Sequence, residues 1–353
     1  MTGKSNILNY NILILIISFV TLINSIYIDN FYIFFIYIIS IIASYISTKY
    51  GIKFIKKNNF LQTIRDEGPS SHFSKSKTPT MGGLFIIPIF FLMLSGGNII
   101  SFKFKIALLI TIFGFFFIGF LDDYLGIKNK INLGLKSKEK LMLQIVFSSF
   151  FVIFSFNNNL INNNLIFLND LTINFKNLII PISIITIIAL SNSVNLTDGL
   201  DGLAAGCSSI VFCGLGTEIL LNNDKDYLMF SLLSFCMSGL CLGFLKHNKY
   251  PAKIFMGDTG SLTLGAIIGV ICVTTNSFFT TFIISGIFVI ESLSVILQVS
   301  YFKITKKFLK QGKKLFLMTP IHHHFELQGM KEEKIVEIFW IINIILVIFS
   351  IVV

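Results

Sequence analysis

Ten times along this chain a stretch of apolar residues runs on with almost no charge: near 31–49, 79–96, 105–121, 141–157, 177–193, 203–222, 227–245, 261–278, 279–299 and 335–353. A helix rises 1.5 Å per residue, so ~20 apolar residues cross the roughly 30 Å hydrocarbon core of a bilayer. Inside lipid the backbone must satisfy its own hydrogen bonds, and for runs of this length that means helices. The expectation is an all-α integral membrane protein of about ten transmembrane helices. The stretch 7–28 is also apolar enough to span. We read 1–30 as an N-terminal apolar segment, interfacial or partly inserted, and 31–353 as a single polytopic domain. Composition agrees, with 13% charged residues against 54% hydrophobic, where a soluble domain carries about 25% charge.

The net charge of +10 invites a nucleic-acid partner, but the lysines sit in short loops between apolar runs rather than on one face of a soluble domain, so no nucleic acid is expected. Their placement orients the chain instead. Most of the 28 basic residues fall in 49–78, 122–140, 246–258 and 300–334, which follow odd-numbered spans together with 194–202. These loops share one side, and basic loops face the cytoplasm. Ten spans then leave both termini outside; if 7–28 also spans, the N-terminus moves inside. The five cysteines, Cys207, Cys213, Cys236, Cys241 and Cys272, lie in apolar runs without CxxC spacing and read as small buried hydrophobes. No cleavable signal peptide is evident.

The chemistry-bearing residues gather on that same cytoplasmic side, which suggests a reaction between a soluble and a lipid substrate. In 66–83 a turn rich in Gly, Pro and hydroxyls, with Lys75, precedes a helix whose N-terminus suits an anion. The adjacent Asp122 and Asp123 repel each other unless a cation or lysines neutralise them, and Mg²⁺ is often held by one or two carboxylates plus phosphates. The segment 192–202 is dense in Asn, Asp and Gly but lacks the spacing and closing Glu of a Ca²⁺ loop; a plain turn is its alternative reading. Asp258 opens a span as an N-cap or a metal ligand. Phe255 suits stacking on a base or an interfacial position. Successive side chains of His322, His323 and His324 diverge, which does not suit a three-His zinc site; phosphate hydrogen bonding, acid/base work or loop structure fit better. Glu291, within an apolar span, is a functional candidate by its depth, with Ser292 and Ser294 able to satisfy it, and is left unassigned.

These segments, in this order and spacing, resemble the bacterial phospho-N-acetylmuramoyl-pentapeptide transferase family, within the superfamily of polyprenyl-phosphate N-acetylhexosamine-1-phosphate transferases. The resemblance runs from about residue 31 onward and is carried by Ser71 to Lys75, Thr78 to Gly83, Asn195 to Leu203, Phe255 to Asp258 and Pro320 to Glu326. It implies ten helices around a cytoplasmic-face cleft, a homodimer in the bacterial inner membrane, and Mg²⁺. The substrates it implies are UDP-N-acetylmuramoyl-pentapeptide and undecaprenyl phosphate, giving lipid I and UMP. By motif match Asp258 would hold the metal, and Asp122 and Asp123 would act on the lipid phosphate or the metal. Asn195, Asp198, Asp201 and Asn248 would line the nucleotide-sugar site, with Phe255 on uracil; Lys75, Thr80, Lys138 and His324 would complete the cleft. Gly126 and Lys77 depart from the family pattern, which puts local phosphate contacts in question.

For the reaction itself we favour direct attack by the lipid phosphate with Asp122 as base; a covalent route through an Asp stays open. A sibling transferase using UDP-N-acetylglucosamine is the nearest alternative, and the His triplet argues against it. A secondary transporter is the alternative from another class, but transporters place their sites near the bilayer midplane.

Overall fold

The computed structural model describes residues 8–58, 78–96, 101–129, 134–162, 164–166, 172–222 and 227–352. The helices are α1 (Tyr10–Tyr27), α2 (Tyr32–Lys57), α3 (Gly83–Gly96), α4 (Phe102–Asn129), α5 (Ser137–Asn157), α6 (Ile179–Thr197), α7 (Leu203–Leu221), α8 (Leu228–Asn248), α9 (Gly257–Thr274), α10 (Phe278–Ile284), α11 (Gly286–Leu309), α12 (Ile321–Leu327) and α13 (Glu332–Val352). Among the described residues ten of them are long and apolar enough to cross a membrane. The Asn-rich stretch between α5 and α6 adds a small antiparallel hairpin, β1 (Asn164–Ile166) with β2 (Thr172–Asn174), in register Leu165 opposite Ile173.

The ten are not quite the ten expected. The N-terminal apolar segment forms α1, an 18-residue helix packed on α2, α7 and α8. Asn24 Nδ2 donates to Thr217 Oγ1 at 2.9 Å, and the Ser18 and Tyr37 hydroxyls are 3.0 Å apart. The expected span 79–96 is instead the 14-residue α3. Its first residues stay out of the helix because they pair with the chain before α9: Phe255 N–H donates to Pro79 O at 2.8 Å, and Gly82 N–H returns to Phe255 O at 2.8 Å. The run 279–299 divides into the seven-residue α10 and the long α11.

The centre of the bundle is α7, α8 and α9, whose spanning windows are 100%, 94% and 89% buried, whereas α2 and α11 bury 28% and 22%. A helix apolar all round must be covered all round, by protein or by lipid. The outer helices accordingly turn Leu15, Phe19, Phe35, Ile296 and Ile348 outward. Both described ends of the chain can be placed. Leu8 N–H donates to Glu337 Oε1, near the start of α13, and Lys246 and Lys249 from the end of α8 each lie 5.0 Å from the Tyr10 ring. Ser350 Oγ donates to Thr280 O in α10. The start of α1 and the end of α13 therefore lie at opposite ends of the bundle.

Candidate active site

One end of the bundle collects the C-terminal parts of α4, α6 and α8 and the N-termini of α5, α7 and α9. Asp122 and Asp123 lie within α4, which runs on to Asn129, so they are not at its end. Consecutive helical residues point about 100° apart, and the two carboxylates go to different neighbours. Asp123 reaches the start of α9: Oδ1 accepts from Asp258 N–H at 3.1 Å, and Oδ2 from Thr259 N–H at 2.9 Å and Thr259 Oγ1 at 2.6 Å. A helix begins with unpaired N–H groups and partial positive charge; here a carboxylate from another helix supplies the cap. Gly257, at φ +72°, leaves room for it, since a Cβ there would press on Asp123 Oδ2.

Because Asp123 caps α9, Asp258 is not consumed as its own N-cap. Its Oδ2 lies 2.6 Å from Lys140 Nζ, and its Oδ1 accepts from Asn195 Nδ2 at 2.7 Å. The same lysine reaches Asp122 Oδ1 at 2.9 Å, an oxygen that also accepts from Leu135 N–H at 3.0 Å. One ammonium thus bridges two carboxylates from α4 and α9, all three side chains about one fifth exposed. Asn195 also donates to Ser261 Oγ at 3.0 Å. Asp198, just past α6, accepts a backbone hydrogen bond from Gly257. Desolvation first, then the charges of Asp258 and Asp123, push its carboxyl well above the usual range. Replacing Asp123 by Ala leaves two partly buried α9 N–H groups unpaired. We expect a loss of about 1–3 kcal/mol, read as a thermal unfolding midpoint lowered by a few degrees in detergent.

The remaining expected residues divide. Thr80 is buried at the Pro79–Gly83 pairing and Phe255 is half-buried beside it. Asn248 and Asp201 hold the loop before α9: Asn248 Nδ2 donates to Ile254 O at 2.9 Å, and Asp201 Oδ2 accepts from Ala252 N–H at 2.9 Å. Asp201 N–H in turn donates to Glu332 Oε1 at 2.6 Å. Lys75 lies outside the described residues. Lys138 is exposed, on the face of α5 away from Lys140. His324 is held within its own segment: Nδ1 accepts from Leu317 N–H at 3.1 Å and Nε2 lies 3.0 Å from Gln328 Nε2. A ring that accepts at Nδ1 carries its proton on Nε2, so the Gln328 amide belongs with its oxygen facing the ring.

Lys140 escaped the motif reading, although α5 carried a signal. Lys140, Gln144 and Ser148 recur every four residues on a helix that between Leu141 and Phe154 is otherwise apolar but for Ser149, and Gln144 and Ser148 are buried; Gln144 exchanges hydrogen bonds with Asn192 of α6. A polar stripe at that period faces the bundle. A cavity of about 480 Å³, lined by Phe156, Asn159, Asn162 and Tyr227 among others, opens at the other end of α5, roughly 24 Å along the helix from Lys140, and has no part in this site.

Residues 105–276 match the family model described as glycosyl transferase family 4, which sets the class: a membrane-embedded glycosyl transferase. Residues 75–87 match the phospho-N-acetylmuramoyl-pentapeptide-transferase signature 1. A phospho-N-acetylmuramoyl-pentapeptide-transferase of Prochlorococcus marinus (strain MIT 9301) is 56% identical over 100% of this chain and 99% of its own. One of Clostridioides difficile (strain 630) is 43% identical over 85% of this chain and 91% of its own. The chain belongs to the phospho-N-acetylmuramoyl-pentapeptide-transferase family.

Proposed function

We propose that this multi-pass protein of the bacterial inner membrane transfers phospho-N-acetylmuramoyl-pentapeptide from UDP-N-acetylmuramoyl-pentapeptide to undecaprenyl phosphate, forming lipid I and UMP. The observation that carries the mechanism is the Lys140 bridge between Asp122 and Asp258. A negative phosphate must approach a negative diphosphate, so the site has to bring positive charge. The bridge stores one positive charge between two carboxylates, from which it can turn to an arriving phosphate. Asp122 and Asp258 offer hard oxygen donors already converging on one cation. That donor set fits Mg²⁺, which takes one or two carboxylates beside phosphate oxygens and water; among the described residues no larger ligand cluster exists. Asp258 and Asp122 would hold the ion, which when bound supplies charge neutralisation for the diphosphate and the departing UMP.

The chain's own residues then have distinct tasks. Lys140 binds and neutralises phosphate oxygens. Asp122 takes any proton left on the lipid phosphate. Asn195 holds the Asp258 carboxylate in orientation, and Asp123 fixes the α9 N-terminus that carries it. Phe255, whose backbone pairs with Pro79 and Gly82, would stack on uracil. The face is cytoplasmic, supported by the basic residues at this end, including Lys246, Lys249 and Lys253. The site's position at the ends of α5, α6 and α9 supports a transferase over a transporter with a midplane site.

The test is UMP release by purified protein given both substrates and Mg²⁺, beside Asp258→Asn. Release should need all three components and fall at least about 100-fold in the variant. No release from folded wild-type protein with either UDP-N-acetylhexosamine donor would overturn the transferase reading.

A further inference from the structure

Glu291 of α11 and His322 of α12 take no part in the steps above, yet both are fully buried, with His322 Nδ1 3.0 Å from Glu291 Oε1. Each keeps a second polar atom, Glu291 Oε2 and His322 Nε2, with no hydrogen-bond partner. A buried polar pair carries a desolvation cost that an apolar pair of the same size lacks, so stability is weak reason for its presence. Its surroundings suggest another. The far edge of the imidazole lies against Gly199, where a Cβ would overlap Nε2; Gly199 does not have left-handed φ, so glycine is needed there for space. Gly199 follows Asp198, whose carboxylate accepts from Gly257 N–H. Gly257 precedes Asp258, joined to Lys140 and Asn195. Alongside, Ser292 Oγ bonds Ser193 Oγ and ties α11 to α6 just before this loop.

We infer that Glu291 and His322 are a buried positioning pair: the Glu291 oxygen orients the imidazole, and the imidazole, wedged on Gly199, sets the Asp198–Asp201 loop against the Gly257–Asp258 turn. The pair acts through the loop and touches no substrate. The inference rests on the transferase reading for its kinetic consequence but not for the contact itself. An imidazole donating from Nδ1 needs only an acceptor at position 291. Glu291→Gln keeps a carbonyl oxygen there, and Glu291→Leu does not.

The kinetic test compares these two variants and His322→Asn in UMP release, with KM taken for each substrate. Glu291→Gln should stay within about threefold of wild type. Glu291→Leu and His322→Asn should lose at least about tenfold in kcat, with KM for the nucleotide donor changed less than about threefold, as expected when bound groups are misplaced rather than unbound. The double variant Glu291→Leu/His322→Asn should be no worse than the poorer single one. Wild-type kcat in Glu291→Leu and His322→Asn, equal losses in Glu291→Gln and Glu291→Leu, or additive losses would each overturn the pair.

A second readout needs no activity. Gly199→Ala should lower the thermal unfolding midpoint, and His322→Ala should cost less in that background than in wild type. Additive midpoints would overturn the contact. If wild-type protein releases no UMP while the midpoints are non-additive, the transferase reading fails and the contact stands.

Discussion

Lys140→Met should reduce UMP release on the order of 1,000-fold, while Lys138→Met stays within about threefold of wild type. The two lysines stand two residues apart on α5, about 200° around the helix. Lys138 is exposed, and Lys140 is three-quarters or more covered, with its ammonium 2.9 Å from Asp122 and 2.6 Å from Asp258. Removing the shared cation leaves two partly buried carboxylates facing each other, which is destabilising in itself. It also removes the positive charge that a diphosphate needs, and single preorganised electrostatic contacts of this kind are worth roughly 100- to 1,000-fold. Lys140→Arg keeps the charge but spreads it over a planar fork that cannot sit as a point between two carboxylates, so partial activity is expected. Steady-state kinetics on the three variants decide the matter. Equal losses at 138 and 140 would mean that net basic charge at this face, not the bridge, is what counts.

Gly119→Ala should be the most damaging small change in the bundle. The Cβ it adds would fall on the Asp258 carbonyl, because α4 and α9 cross in contact there; Gly83 meets the backbone of Thr259 and Gly260 in the same way from α3. Backbone cannot rotate aside as a side chain can, so the helices must separate. Overpacking of this kind costs about 1–3 kcal/mol and occasionally more. Separation also carries Asp258 away from Asp122 and Lys140, and a misplacement near 1 Å can cost about 100-fold in rate. The expected result is a lowered unfolding midpoint together with loss of UMP release. Gly96→Ala, where nothing lies within 4 Å of the added atom, should change neither. A Gly119→Ala protein of wild-type midpoint and activity would mean that α4 and α9 can part without consequence.

Much of this was open to reading in the chain. Apolar runs of about twenty residues declare helices in lipid because length and lack of charge are local properties. The clustering of Asp122, Asp198 and Asp258 at one face was legible as well, since loops that follow alternate spans share a side. The resemblance across residues 71–83, 195–203 and 320–326 narrowed the family further. Two things were not legible. The helix at Tyr10–Tyr27 and the short Gly83–Gly96 exchange roles relative to the hydropathy pattern. The difference lies in what each packs on: Asn24 finds Thr217, and Pro79 and Gly82 find Phe255. His324 was chosen by motif position, and its hydrogen bonds with Leu317 and Gln328 are contacts that the motif does not contain.

The chain by itself determined which residue types meet at the surface of the bilayer and which segments are helical, because hydrophobicity and helical period act within each segment. Only the tertiary structure decided what each polar group does there. Asp122 and Asp123 are neighbours in sequence, but helical rotation sends one to Lys140 and the other to the start of α9. Asp258 is left free for the site because a carboxylate 135 residues away in the chain caps its helix. Such roles follow from direction and distance between helices, which no one segment contains.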